Sequence, residues 1–229
     1  MSPSEKAWQA TRRRIAAAAR AAGRDPASVR LLAVSKSKPA DAVRAAYALG
    51  QRAFGENYVQ EATAKMAALA DLAGIEWHLI GPLQGNKARA AAAAFDWVES
   101  IDRLQVAERL SATRDARQPP LMVCVQVNIS GEASKSGVAP DAALALARAV
   151  ASLPRLTLRG LMGVAEPTSD ATKQRAQFHV LRELHATARS EGLMLDTLSM
   201  GMSDDLEAAI AEGATLVRIG SALFGPRPK

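Results

Sequence analysis

The chain has 229 residues, 48% of them hydrophobic, which is enough to bury a full core in one large α/β domain or two small ones. We expect a cytoplasmic protein without a membrane span or an intramolecular disulfide, because no eighteen-residue apolar stretch, signal peptide or lipidation motif is evident and Cys124 is the only cysteine. The net charge of +6 is scattered except for the run Arg12 to Arg14, so it suits small anionic ligands better than nucleic acid, which needs a clustered basic face.

Short apolar runs alternate with alanine-rich helical patterns along the chain, after an amphipathic helix predicted over residues 4 to 22. The runs predict eight strands, at residues 31 to 35, 51 to 54, 75 to 80, 96 to 101, 121 to 127, 156 to 163, 195 to 199 and 215 to 219. Each strand but the last is followed by a predicted helix. This pattern is typical of a parallel sheet, and it fits both an eightfold β/α (TIM) barrel and a doubly wound open sheet.

Polar residues follow many of these strands, which helps to separate the two folds. They include Lys36 after the first strand, Glu56 and Asn57 after the second, and residues 81 to 87, 128 to 135 and 199 to 203 after the third, fifth and seventh. A barrel draws its site residues from several strand ends, whereas an open sheet concentrates them at one switch point. We therefore predict a single barrel domain over residues 1 to 229, with an N-terminal helix within residues 1 to 24 and the barrel over residues 31 to 225.

Lys36 stands at the end of the first predicted strand, directly after the apolar run of residues 31 to 35. A lysine at the end of a core strand loses hydration, which favours the neutral amine, and a neutral amine is a nucleophile toward aldehydes. Arg218 lies on the last strand, which a closed barrel makes the neighbour of the first. If both side chains point inward, Lys36 and Arg218 reach the same anionic or electron-rich ligand.

Glycine and serine residues follow the seventh and eighth strands, in the segment 199 to 205 (SMGMSDD) and at Gly220 and Ser221. Barrels often hold a phosphate in these two loops. Ser203 and the two aspartates that follow it also suit an ordinary helix N-cap, so spacing alone leaves both interpretations open. An amine, phosphate donors and a partner for a ring nitrogen are the groups that pyridoxal phosphate requires.

Seven segments in the same order resemble the pyridoxal-phosphate homeostasis protein family: LLAVSKSKP, FGENYVQE, WHLIGPLQGNK, VNISGEASKSG, LMGV, LSMGMSDDLEAAI and VRIGSALFG. They span residues 31 to 225. This family is similar to the barrel domain of alanine racemase without that enzyme's second domain. The resemblance implies a TIM barrel that holds pyridoxal phosphate as a Schiff base on Lys36 and acts as a carrier or regulator of the cofactor, not as an enzyme.

The same resemblance implies further site residues and partners. Arg218 is expected to face the pyridine nitrogen, Asn57 to lie near the cofactor, and the phosphate to be surrounded by Ser203, Gly220, Ser221 and one of Met200 or Ser199. Apo-enzymes that use pyridoxal phosphate are the expected recipients, and we expect a monomer. Lys38 and Lys135 stand beside strand ends, where they could serve as alternate amines in transfer or be solvated loop charges.

The alternative function is a racemase-like enzyme that uses pyridoxal phosphate. Racemisation needs an acid or base on each face of the substrate, and the chain has only two tyrosines, Tyr47 in a predicted helix and Tyr58 after Asn57. Glu56 could orient a site lysine or make an ordinary loop contact. The three histidines, His78, His179 and His185, have no metal-ligand spacing, so we expect no metal.

Overall fold

The computed structural model describes residues 3 to 132 and 136 to 225, so Lys135 lies outside the described residues. Eight parallel strands follow one another around a closed barrel in chain order, and the first strand pairs with the last. The predicted barrel is confirmed, and the open sheet is excluded.

The strands are β1 (Arg30–Val34), β2 (Ala53–Glu56), β3 (Glu76–Leu79), β4 (Trp97–Ile101), β5 (Leu121–Val127), β6 (Leu156–Gly163), β7 (Thr197–Ser199) and β8 (Leu216–Ile219). The α-helices are α1 (Pro3–Ala21), α2 (Ala40–Ala48), α3 (Val59–Ala68), α4 (Ala88–Ala94), α5 (Leu104–Thr113), α6 (Pro140–Ala151), α7 (Ala171–Ser190), α8 (Leu206–Ala211) and α9 (Ser221–Phe224). Short 3₁₀ turns at Pro26–Ser28 and Gly85–Lys87 complete the regular elements of the described chain. The predicted N-terminal helix is thus present as α1.

Strand β2 begins at Ala53, two residues later than predicted, because Gln51 is used to join neighbouring backbones. The side-chain Nε2 of Gln51 donates to the carbonyl oxygens of Leu31, at 2.7 Å, and of Ala53, at 2.6 Å. Gln51 is buried, so these bonds satisfy carbonyl groups that water cannot reach. The Gln51 amide therefore links the backbones of β1 and β2 at the point where backbone pairing between these strands has not yet begun.

The main core lies between the strands and the surrounding helices, and the barrel interior holds two smaller apolar clusters. One consists of Leu32, Ala53 and Leu216, and the other of Trp97, Cys124 and Met162. Cys124 is fully buried, and this burial raises the pKa of its thiol well above the ordinary value. It packs as a small hydrophobic residue, as the sequence predicts.

Helix α1 lies against the barrel near the loop after β7. Arg14, from the basic run in this helix, pairs with the carboxylate of Glu207 and donates from Nη1 to the carbonyl oxygen of Ser203 at 2.6 Å. At least one arginine of the run therefore serves to fasten the helix to α8. No helix in the described part of the chain is long and apolar enough to cross a membrane.

Gly160 in β6 gives a test of how closely the barrel strands pack. A Cβ added at this position would lie 1.7 Å from the carbonyl oxygen of Thr197 in β7. We expect Gly160→Ala to lower the free energy of unfolding by about 3 kcal/mol, because the strand pair must separate to admit the methyl group. Gly74→Ala is the control, since its Cβ meets nothing within 4 Å and only the positive φ of 74° makes it unfavourable, by about 1 kcal/mol. Urea unfolding of both variants checks this, and equal losses would contradict it.

Candidate functional site

A cavity of about 260 Å³ opens at the carboxyl ends of β1 and β8. Its wall contains two lysines, an arginine, an aspartate, two serines and several apolar or glycine positions: Val34, Lys36, Lys38, Ile80, Met202, Ser203, Asp204, Arg218, Gly220, Ser221 and Gly225. Five of the eight predicted cofactor residues therefore line one space, although they come from three separate parts of the sequence. Val34, Ile80 and Met202 were not predicted, and they add an apolar surface to it.

Arg218 forms part of the cavity wall although its side chain is almost entirely buried. Its two terminal nitrogens donate to Ser199 Oγ at 2.7 Å and to the carbonyl oxygen of Gly163 at 2.8 Å. Burial lowers the pKa of the guanidinium, and the nearby carboxylate of Glu99 opposes that effect. An arginine has five N–H donors, so a guanidinium held by two of them can still donate to a ligand.

The loops that follow β7 and β8 meet at two hydroxyl groups. Ser221 Oγ lies 3.2 Å from Ser203 Oγ. Gly220 packs closely on β1, since a Cβ there would lie 3.2 Å from the Val34 carbonyl oxygen. A glycine at this point lets backbone and hydroxyl donors approach a ligand beside the strand end, which is an arrangement that suits an anion.

The loop after β7 also contains the helix N-cap that the alternative interpretation expected, at Asp205. Helix α8 begins after Asp205, whose carboxylate accepts from the backbone N–H of Met202. Asp205 is buried, and burial raises the pKa of its carboxyl group. Ser203 is thus outside the helix and lines the cavity, while Asp204, which also lines the cavity, brings a negative charge to it.

Three predicted cofactor residues are not among the described residues that line the cavity. Ser199 is fully buried, and its hydroxyl accepts from Arg218 and donates to Glu99. Met200 is fully buried in the main core. Asn57 lies against Gly81, where an added Cβ would lie 2.3 Å from the Asn57 carbonyl oxygen, and its buried Oδ1 has no partner among the described residues.

A buried ion pair lies behind the strand end that carries Lys36. Lys65 Nζ donates to the Ser35 carbonyl oxygen at 2.6 Å and to Glu56 Oε1 at 2.7 Å, and Ser35 Oγ donates to the same Glu56 oxygen at 2.6 Å. Burial raises the pKa of Glu56, and the bonds from Lys65 and Ser35 partly offset that effect. Glu56 therefore pairs with Lys65, a residue not predicted from the sequence. The Glu61 to Lys65 spacing on α3 was the available signal.

The same lysine helps to shape the loop immediately after Lys36. Lys65 Nζ lies 2.8 Å from Glu61 Oε1, and this oxygen also accepts from the backbone N–H of Ser37 at 2.6 Å. Ser37 has a φ of 60°, a left-handed conformation that is uncommon for a residue other than glycine. The carboxylate of Glu61 thus holds the backbone of the residue that follows Lys36 in an unfavourable conformation.

The histidines and tyrosines take structural positions. His78 is enclosed between Glu99 and Glu76, and His179 bonds to Glu212, while no group of three metal-binding side chains occurs within the described ranges. The Tyr47 hydroxyl donates to the Ala73 carbonyl oxygen, and the side chain of Tyr58 is 62% exposed. Neither tyrosine lines the cavity at the end of β1 and β8.

We expect Lys65→Met to lower the free energy of unfolding by about 3 to 5 kcal/mol, because it leaves the buried carboxylate of Glu56 without its cation. The double variant Glu56→Gln, Lys65→Met removes both charges and should recover more than half of that loss. Urea unfolding at pH 7 measures both. If the double variant were as unstable as Lys65→Met, the loss would come from packing and not from an uncompensated charge.

One family model matches this chain, and two relatives from different bacteria share a single name. The sequence model of the family described as alanine racemase, N-terminal domain, matches residues 8 to 228. The chain is 64% identical over 214 residues to the pyridoxal phosphate homeostasis protein of Pseudomonas aeruginosa, covering 93% of this chain and 91% of the relative. It is 52% identical over 221 residues to the protein of the same name from Escherichia coli, covering 94% and 93%.

A solved structure gives the same result for the fold. PipY of Synechococcus elongatus, in a structure with PLP bound, is 43% identical to this chain, with a TM-score of 0.80. The match covers 86% of this chain and 93% of PipY. The similarity therefore extends over most of both chains.

Proposed function

This chain belongs to the pyridoxal phosphate homeostasis protein family, within the family of alanine racemase N-terminal domains, and from that premise we propose that it binds pyridoxal phosphate as a Schiff base on Lys36. It holds the cofactor for intracellular homeostasis, as a carrier or regulator. The observation that carries the proposal is that Lys36, Arg218 and the hydroxyls of Ser203 and Ser221 line one cavity. PipY, which has a structure with PLP bound, supports the choice of cofactor.

The groups around the cavity fit the three parts of pyridoxal phosphate. Lys36 supplies a primary amine, and Ser203, Gly220 and Ser221 supply hydroxyl and backbone donors for a phosphate. Arg218 supplies a cation for the ring nitrogen. When bound, the cofactor provides an aldehyde carbon for the lysine and an electron-withdrawing ring. The buried Asn57 Oδ1, which has no described partner, could accept from a group near the ring.

Arg218 also supports a role in storage over catalysis. A guanidinium beside a pyridine nitrogen donates a hydrogen bond and keeps that nitrogen unprotonated, because arginine does not give up its proton. An unprotonated ring withdraws electrons poorly, so it stabilises carbanions less well. The two relatives compared above are named as homeostasis proteins, which agrees with this assignment.

A racemase-like enzyme is the second candidate, and the contents of the cavity favour it less. Its described wall contains Lys36, Lys38 and Asp204 as possible proton carriers and includes no tyrosine, histidine or cysteine. Two-sided proton transfer would need an acid or base on each face of the substrate. Slow reactions with amines remain compatible with the site, whereas ordinary enzymatic turnover would contradict the proposal.

Lys38 lines the same cavity as Lys36, and we include it in the proposed function as an alternate amine. A second amine can take the aldehyde by exchange, which moves the cofactor from the first lysine to the second without requiring water to attack the first linkage. Lys135, which follows β5, is proposed to share this role. The recipients are apo-enzymes that use pyridoxal phosphate, and we propose that the chain acts in the cytoplasm as a monomer formed by one barrel domain.

Borohydride trapping with mass analysis tests the proposed linkage. We expect the native chain incubated with pyridoxal phosphate to give one reduced adduct, on the peptide that contains Lys36. Lys36→Ala should lose this adduct and the associated absorption band, because its amine is removed. Lys87→Ala is the control, since Lys87 lies outside the cavity wall and its loss should change neither signal. An adduct spread over several surface lysines would overturn the assignment.

Cofactor release tests the two proposed transfer lysines. The double variant Lys38→Ala, Lys135→Ala should load normally on Lys36 but deliver pyridoxal phosphate to an apo-enzyme several-fold more slowly, because the exchange route is lost. Stopped-flow absorption at a fixed apo-enzyme concentration measures the rate. The matched control is Lys87→Ala, Lys173→Ala, which removes two lysines outside the cavity wall. Equal rates in the two double variants would show that Lys38 and Lys135 are only solvated charges.

A further inference from the structure

A continuous row of polar groups runs through the barrel from the buried Arg218 to the exposed Arg30 at the amino end of β1. Arg218 donates to Ser199 Oγ, and Ser199 Oγ donates to Glu99 Oε2. Glu99 Oε1 lies 2.6 Å from His78 Nδ1, and His78 Nε2 lies 2.8 Å from Glu76 Oε1. We call these residues the barrel relay. It ends where Arg30 donates to Glu76 Oε1 at 2.6 Å.

The partners of His78 determine its charge. Both ring nitrogens face carboxylate oxygens, which only accept hydrogen bonds, so both nitrogens must carry a proton. The two carboxylates raise the pKa of His78 although burial opposes them, and His78 in turn helps to lower the pKa of Glu99 and to lower that of Glu76 to about 2. The ring also stacks on Trp97, with centroids 5.0 Å apart, which fixes its plane.

The charges of the relay alternate in sign along its length. Arg218, His78 and Arg30 are positive, and Glu99 and Glu76 lie between them as negative groups. Glu99 and His78 are completely buried, so each would be strongly unfavourable without the other. Within the described residues Arg218 forms no ion pair with a carboxylate, and Ser199 is the group that connects it to Glu99. The buried guanidinium is thus linked to a negative charge through a single hydroxyl.

We propose that Ser199, Glu99 and His78 are positioning residues that hold the Arg218 guanidinium in a fixed orientation toward the cofactor ring. This inference rests on the proposed function, in which Arg218 faces the ring nitrogen. An arginine held only by the Gly163 carbonyl could rotate about its last bonds and present its donors elsewhere. Bonds on two sides, one of them backed by a carboxylate, restrict that rotation and aim the remaining donors at the cavity.

The relay gives Ser199 a role different from phosphate binding. Its hydroxyl is engaged by Arg218 on one side and Glu99 on the other, and the side chain is fully buried. It therefore acts on the cofactor through Arg218. Removing the hydroxyl should weaken the hold on the ring while leaving the donors for the phosphate in place.

The first test uses the protein without added cofactor. In ¹⁵N-histidine NMR, the His78 signals, assigned by their loss in His78→Gln, should be those of an imidazolium at pH 7. The midpoint of their pH titration should lie above that of an ordinary histidine, which is about 6.5. In Glu99→Gln the amide oxygen can still accept a hydrogen bond from His78 but carries no charge, so the pH midpoint of the His78 titration should fall. A His78 that is neutral at pH 7 in the native chain would overturn the inference.

The second test compares two serine truncations in the chain loaded with pyridoxal phosphate. Ser199→Ala should weaken cofactor binding roughly tenfold and shift the pH dependence of the bound absorption band. Ser111→Ala is the matched control, because it also removes a buried hydroxyl, but one that donates to the carbonyl oxygen of Pro154 and is not part of the relay. Ser199→Thr restores the hydroxyl and should restore the native spectrum and affinity.

The outcomes separate this inference from the proposed function. If the native chain forms no adduct on Lys36, the proposed function fails and the inference fails with it. If the native chain is loaded but Ser199→Ala matches Ser111→Ala in affinity and spectrum, the proposed function stands and the relay only stabilises the fold. A weaker, spectrally altered Ser199→Ala that Ser199→Thr rescues supports the positioning role.

Discussion

The pairing of the first strand with the last is the constraint on which the site depends. Arg218 in β8 is in register with Leu32 in β1, and Ile219 with Ala33. This register brings Gly220 beside Val34, so the loop after β8 opens into the same cavity as Lys36. Residues 36 and 218 are separated by most of the chain, and only barrel closure brings them together.

Two buried charge networks support this strand pair from different sides. Lys65, Glu56 and Glu61 hold the backbone around Lys36, and the barrel relay stands behind Arg218. Buried charges contribute little net stability, yet removing one partner is strongly unfavourable. Networks of this kind therefore fix geometry more than they add stability. In this chain one network bonds to the backbone on either side of Lys36, and the other bonds to the side chain of Arg218.

The sequence was sufficient to predict the eight strands because strand signals are local, and the polar residues that follow many of the strands favoured the barrel over an open sheet. Apolar runs such as 121 to 127 and 156 to 163 have the same bounds as β5 and β6. The site was partly predictable for the same reason, since Lys36 and Ser221 stand at strand ends. The start of β2 was predicted two residues too early, at residue 51. The cause is tertiary, because the side chain of Gln51 bonds to the backbone of β1 and the strand pairing begins only at Ala53.

The buried networks could not be predicted in this way. Ser199 and Glu99 are 100 residues apart, and their contact depends on two strands that face each other across the barrel interior. Lys65 has the sequence pattern of an ordinary helix residue. Its ion pair with Glu56 cannot be predicted from that pattern, because Glu56 lies at the end of β2 and not on the same helix.

The most direct test of the central claim is a crystal structure of the protein from crystals soaked with pyridoxal phosphate. The account predicts continuous density from Lys36 Nζ to the cofactor, with the phosphate between Ser203 and Ser221 and the ring nitrogen within hydrogen-bond distance of Arg218. It also predicts that Arg218 keeps its bonds to Ser199 and Gly163. A cofactor attached to another lysine, or one whose phosphate faces Arg218 while its ring nitrogen points toward the serines, would contradict the account.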